Sequence, residues 1–69
     1  MIIEFKETFI NLAAVGCIKK LFACRKHRIA IFTGTGDLMT EFLYDLETSR
    51  DVDYNKLSII IRNSKHYAD

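Results

Sequence analysis

Proline is absent from this chain and glycine occurs three times, so neither a disordered linker nor a loop-rich architecture fits it. Cysteine occurs twice, at Cys17 and Cys24, too few for the disulfide framework that holds many small secreted domains together. The two read as reduced thiols of a cytoplasmic protein. The longest uncharged run is residues 8–18, well short of the ~20 apolar residues that a membrane-crossing helix needs. The opening Met1-Ile2-Ile3-Glu4-Phe5-Lys6 places charges where a secretion signal would be apolar, so no signal and no membrane partner are expected. Acidic residues are missing altogether from residues 8–36, whereas six fall between positions 37 and 53.

What is present follows from that last gap. Lys19, Lys20, Arg25, Lys26 and Arg28 lie within ten positions of the acid-free stretch. A chain of net charge +1 therefore has one basic and one acidic segment. Its 69 residues are 49% apolar, with five Phe and three Tyr, which gives one domain over residues 1–69 with a small core. A lone core of this size rarely supplies more than ~3–5 kcal/mol, and small natural proteins add disulfides, a metal or self-association. With the first two unsupported, a homo-oligomer is expected.

Along the chain, residues 2–5 and 8–11 are short β-favouring runs around the polar break Lys6-Glu7, the pattern of a tight hairpin. Leu12-Ala13-Ala14 suits a turn or one helical turn. Residues 15–22 alternate in strand fashion, with Ile18, Lys20 and Phe22 on one side and Lys19 and Leu21 on the other. Residues 23–27 read as an exposed basic loop, and residues 28–33 as the most strand-like segment. Gly34-Thr35-Gly36-Asp37 is a turn. A tight turn at Thr35-Gly36 sets Ile31 opposite Thr40 and Ile29 opposite Phe42, with Glu41 diagonal to Arg28 as an ion-pair partner. Residues 38–46 also fit a helix with Asp37 as N-cap. Thr48-Ser49-Arg50-Asp51 resembles a capping box. Asp51 and Asp53 at the start, with Arg62, Lys65 and His66 at the end, suit a helix dipole. Tyr54, Leu57 and Ile61 form the inner stripe. Against this, the β-branched run Ile59-Ile60-Ile61 also fits a strand over residues 57–62.

The run Phe9-Ile10-Asn11-Leu12-Ala13-Ala14-Val15, followed by Ile18, resembles the opening of a group of small uncharacterised bacterial and phage-borne proteins. In that group an I-N-L…V…I segment leads into two strands joined by a glycine-containing turn and then a C-terminal helix. The resemblance places the strands at residues 28–33 and 38–45 and matches Tyr54-Asn55-Lys56-Leu57 to the helix. Arg50 departs from its acid-rich helix start. What the resemblance implies is an α+β fold: an antiparallel sheet of about four to five strands with one helix, over about residues 48–63, packed on it. It implies no activity.

The residues offer little chemistry. Gly34-Thr35-Gly36 lacks both the third glycine of a dinucleotide loop and the Gly-Lys-Ser/Thr of a P-loop, and Asp37 would repel a phosphate. Cys24 and His27 have a ligand-like spacing, but Cys17 and His66 are remote and three cations flank the site, so no metal and no cofactor are expected. The basic neighbours of Cys24 favour its thiolate, yet no histidine–acid set accompanies it. The chain is expected not to be an enzyme.

Binding is the expected work. The hairpin bearing Lys19, Lys20, Arg25, Lys26 and Arg28 is the candidate surface for a macromolecular partner. A helix carrying Ile59-Ile60-Ile61 cannot bury all three, so Ile59 and Ile60 are candidates for a subunit interface. The expected function is a homo-oligomeric inhibitor or regulator acting by protein–protein contact. The phage-like resemblance directs it at a host defence system. Two alternatives stand beside it: a nucleic-acid-binding regulator using the same hairpin, for which pI ≈ 7.8 is low, and a protein sequestering a small nucleotide between subunits.

Overall fold

The computed structural model describes the backbone of residues 1–68 and the side chains of residues 1–64. It has an α+β fold. In chain order the elements are β1 (Ile2–Phe5), β2 (Thr8–Asn11), a 3-10 turn (Leu12–Ala14), β3 (Val15–Ala23), β4 (Lys26–Thr33), β5 (Leu38–Tyr44) and α1 (Glu47–Ala68). The five strands divide into two antiparallel sheets, the hairpin β1–β2 and the meander β3–β4–β5. The break between them is built locally. The side chain of Asn11 accepts from the N–H of Ala13 at 3.1 Å, which starts the 3-10 turn. Leu12 N–H donates to the carbonyl of Met1 at 2.9 Å, closing the hairpin's end.

Both two-residue hairpin turns have unusual chemistry. Lys6 and Glu7, and again Cys24 and Arg25, lie at φ between 49° and 64°. Two successive positive φ values are the signature of a type I′ turn, the form that matches strand twist and that normally selects Asn-Gly. The expected loop over residues 23–27 contracts to this turn because pairing continues out to Ala23 and Lys26. At the β4–β5 turn the expected pairs Ile31 with Thr40 and Ile29 with Phe42 form. The turn itself differs. Gly36 N–H donates to Thr33 O at 3.0 Å, Thr33 N–H to Asp37 O at 2.8 Å, and Gly36 takes φ 93°. This is a three-residue loop, and an irregularity between Ile31 and Phe32 restores the register.

The helical alternative for residues 38–46 does not form, because strand alternation lets Phe42 and Tyr44 both enter the core. The strand alternative for residues 57–62 does not form either. Leu57 and Ile61 lie on the inner side of α1, with Tyr54 and Ile60 partly buried beside them, and that packing outweighs the modest β preference of three isoleucines. The helix runs to Ala68, past the expected end; the side chains of Lys65 and His66 fall outside the described residues.

One core results, formed by Ile10, Leu12, Val15, Ile29, Ile31, Phe42, Tyr44, Leu57 and Ile61. Its composition fixes the layers. Strand alternation puts the rows Lys20–Ile29–Phe42 and Ile18–Ile31–Thr40 on the side of α1. Phe5 from the first hairpin packs on the same side, its ring edge-on to Phe42 at 5.3 Å. Helix and hairpin therefore share one face of the meander. The opposite face carries the rows Leu21–Arg28–Leu43 and Lys19–Ala30–Glu41. Gly16 sits where β3 shifts register, and a Cβ there would lie 2.4 Å from the carbonyl oxygen of Thr33. No helix among the described residues is long and apolar enough to cross a membrane.

Candidate interaction surface

The basic and acidic segments fold against each other. Arg28, on central strand β4, places Nη1 2.6 Å from Glu41 Oε1 on β5, the diagonal pair expected from the register, and Nε 3.0 Å from the carbonyl of Ala23. Lys26 pairs with Asp45 just beyond β5. Its hydrogen bond first, and then its charge, hold the Asp45 carboxyl below the usual range. Lys20 points to the helix side, where Nζ is 3.8 Å from Asp51 and 5.1 Å from the ring centre of Tyr54. Lys19 points to the other side and reaches over Phe32 at 5.5 Å. Among the described residues Arg25 has no ion pair or hydrogen bond. Of the five cations singled out from the sequence, three thus face carboxylates of the same chain.

A sixth cation matters more than any of these. Arg50 is 8% exposed, the one buried charged side chain among the described residues. From the first turns of α1 its Nη1 donates to Leu21 O at 3.1 Å, while Nε and Nη2 both lie 3.1 Å from Asp51 Oδ1. Asp51 also faces Lys20, so the network joins the start of the helix to β3. Sequence reasoning met Arg50 only as a departure from an acidic helix start. The signal was there: a lone arginine in an acid-rich turn has carboxylates on hand to accompany it inward.

Arg50 also affects the edge of the sheet. β3 is an outer strand of the meander, and such an edge invites pairing with another chain. Here one of its carbonyls is already bonded to Arg50. Lys19 and Lys20 would set like charges against each other in antiparallel self-pairing, an arrangement that disfavours it.

Other singled-out residues take structural positions. Thr33, Thr35 and Asp37 bond to one another across the Gly34–Gly36 loop, Thr35 Oγ1 donating to Asp37 at 3.0 Å. Tyr44 donates to Asp53 at 2.7 Å. Burial, then that bond and the carboxylate charge, push its phenol well above the ordinary range. The His27 ring lies 4.7 Å from Phe22, with Nδ1 buried and unbonded among the described residues. Cys17 and Cys24 are exposed free thiols. Among the described residues no three His, Cys, Asp or Glu side chains converge as metal ligands.

The apolar surface is distributed unevenly. On α1, Ile59 is exposed, as the geometry of three consecutive isoleucines requires, whereas Ile60 is partly buried against the core. Val52 is the other exposed large apolar side chain of the helix among the described residues. The uncovered face of the meander carries more: Leu21 and Leu43 are exposed at one end of it, and Leu38 is exposed beside a half-buried Phe32 at the other. Of the charges among them, Arg28 pairs with Glu41 and Lys26 with Asp45, whereas Lys19 has no carboxylate partner among the described residues. The chain matches no family model, no curated protein and no solved structure.

Proposed function

We propose that this chain is a non-enzymatic, self-associating binding protein of the cytoplasm that acts by protein–protein contact as an inhibitor or regulator. The resemblance of its Phe9–Val15 run to phage-borne proteins extends the reading to a target in a host defence system. One observation carries the choice of partner: the face of the meander away from the helix presents leucines among charges of which all but Lys19 are already paired. Such a surface suits a protein, since interface cores are low in unpaired charge and apolar at the centre. Nucleic acid needs free cations to neutralise phosphates, and Lys20, Lys26 and Arg28 have carboxylate partners instead.

The test sets the two partners side by side. Tagged protein is used to recover binding proteins from the source cells, and the Leu43→Asp variant serves as the matched control. DNA and RNA oligonucleotides are titrated in parallel at low salt. A protein retained by the parent and lost with Leu43→Asp supports the reading, provided oligonucleotide binding is absent. Tight oligonucleotide binding that falls steeply with salt, and is abolished by Lys19→Glu with Arg25→Glu, overturns it in favour of nucleic acid.

A further inference from the structure

We infer that two copies of this chain pack face to face through the uncovered side of the β3–β4–β5 meander, with Ala30 on the two-fold axis. The inference rests on the self-association proposed above and names its surface and its symmetry; it gives this face to the second copy in the free protein, so a target protein that uses Leu43 must displace that copy. The occupant is a second copy because the face is complementary to itself. In the register, Lys19, Ala30 and Glu41 form one row across the three strands, and Leu21, Arg28 and Leu43 form the next. Each row begins on β3 and ends on β5. A two-fold axis lying between two such sheets, along β4, sets β3 of one copy over β5 of the other. Lys19 then meets the second Glu41, Leu21 meets the second Leu43, and both contacts occur twice, as an isologous interface requires.

The centre of the face permits the approach. Ala30, the middle residue of its row, is the smallest side chain on the central strand and 1% exposed, screened by its larger neighbours. Arg28 also lies along the axis and meets the second Arg28 there. Its guanidinium is drawn along its own sheet by Ala23 O and Glu41, so it enters the contact already neutralised. Phe32, also on β4 and so along the axis, is half-buried with Lys19 over its ring, and it faces its counterpart in the second copy. A surface of one charge sign would call for a partner of the other; this one has cations on β3 and β4 and carboxylates at β5, the arrangement that a rotated copy satisfies.

Size is sufficient for a specific contact. Three strands of about seven residues span roughly 14 Å by 24 Å at ordinary strand spacings. With side-chain relief, two such faces remove accessible surface near the ~1,000–1,200 Å² at the low end of specific interfaces. Two competing surfaces fit less well. The free edge of β3 is guarded by Arg50, Lys19 and Lys20, and the outer side of α1 offers Val52 and Ile59 two turns apart with Asn55 and Lys56 between them.

Sedimentation of the full chain over a wide concentration range tests this, with circular dichroism to confirm that each variant is folded. The parent should reach the mass of two chains. Leu43→Asp, at a position 49% exposed and so tolerant of change in the single chain, should raise the dissociation constant at least 100-fold. Lys19→Glu, which sets like charges against the second Glu41, should raise it about tenfold, and that effect should shrink in high salt. Ile59→Asp should leave the mass unchanged. A dimer dissociated by Ile59→Asp and untouched by Leu43→Asp overturns the inference while self-association stands. A parent that stays at 8.0 kDa at every concentration overturns both.

Discussion

Replacing Arg50 by Met is expected to destabilise the fold by about 2 kcal/mol, and the structure allows that figure to be worked out. The methionine keeps an unbranched apolar stem where the arginine stem packs, so the loss is that of the guanidinium bonds. Hydrogen bonds from a charged group contribute ~1.5–3 kcal/mol each, and more when a stranded partner is left buried. Here neither partner is fully stranded. Leu21 O belongs to an outer strand that water can reach, and Asp51 is 38% exposed and keeps Lys20 at 3.8 Å. Glu47, at 4.0 Å and largely exposed, adds little. The Leu21 bond therefore counts at the low end of that range, ~1.5 kcal/mol, and the pair with the partly exposed Asp51 adds ~0.5 kcal/mol. Against a total of roughly 3–10 kcal/mol for a chain of this length, that is a large share. Urea unfolding followed by helical circular dichroism, at one fixed protein concentration, reads it directly. With m near ~1 kcal/mol/M, the midpoint should fall by about 2 M. Arg50→Lys, which can reach one partner but not both, should lie between. A methionine variant within about 0.5 kcal/mol of the parent, or more stable than it, would mean that desolvating the guanidinium outweighs its bonds, as happens at some buried ion pairs. The assignment of Arg50 as the tie between helix and sheet would then fail.

Two further outcomes are expected of the single chain. The Tyr44 phenol titrates higher in the fold than in the unfolded chain because of burial and Asp53, so its stabilising effect is complete below pH ~10 and is lost as pH rises above it, at up to ~1.4 kcal/mol per pH unit. Unfolding measured from pH 8 to 12 should show this fall, and Tyr44→Phe should lessen it; parallel curves for the two proteins would remove tyrosine as its source. Cys24→Asn with Arg25→Gly gives the β3–β4 turn the pair that type I′ geometry prefers, and removing two strained left-handed residues should stabilise by ~1–2 kcal/mol. Thermal melting should shift upward by about 4–8 °C per kcal/mol for a domain of this size, whereas an unchanged or lower midpoint would mean that the native side chains at the turn are favoured for another reason.

The sequence by itself determined the first four strands and, once residues 38–45 are taken as a strand, much of the register, while residues 38–46 and 57–62 each kept two readings. Period-two alternation over residues 15–22 and 28–33 and the inner spacing of Tyr54, Leu57 and Ile61 are local patterns, and local geometry suffices to read them. The pairing of Ile29 with Phe42 and the Arg28–Glu41 bridge followed from a single assumed turn. Residues 38–46 stayed ambiguous because their apolar positions satisfy two periods at once; only the core, by admitting Phe42 and Tyr44 together, selected the strand. Tertiary structure alone decided three matters. It split the strands into two sheets, through one asparagine side chain that no pairing rule anticipates. It set much of the basic segment against the acidic one at the surface, because whether two such segments face each other depends on how the chain folds back. And it buried Arg50, since the neighbouring Asp51 alone does not meet the cost of placing a charge inside, and the second acceptor, Leu21 O, comes from 29 residues away and only through the fold.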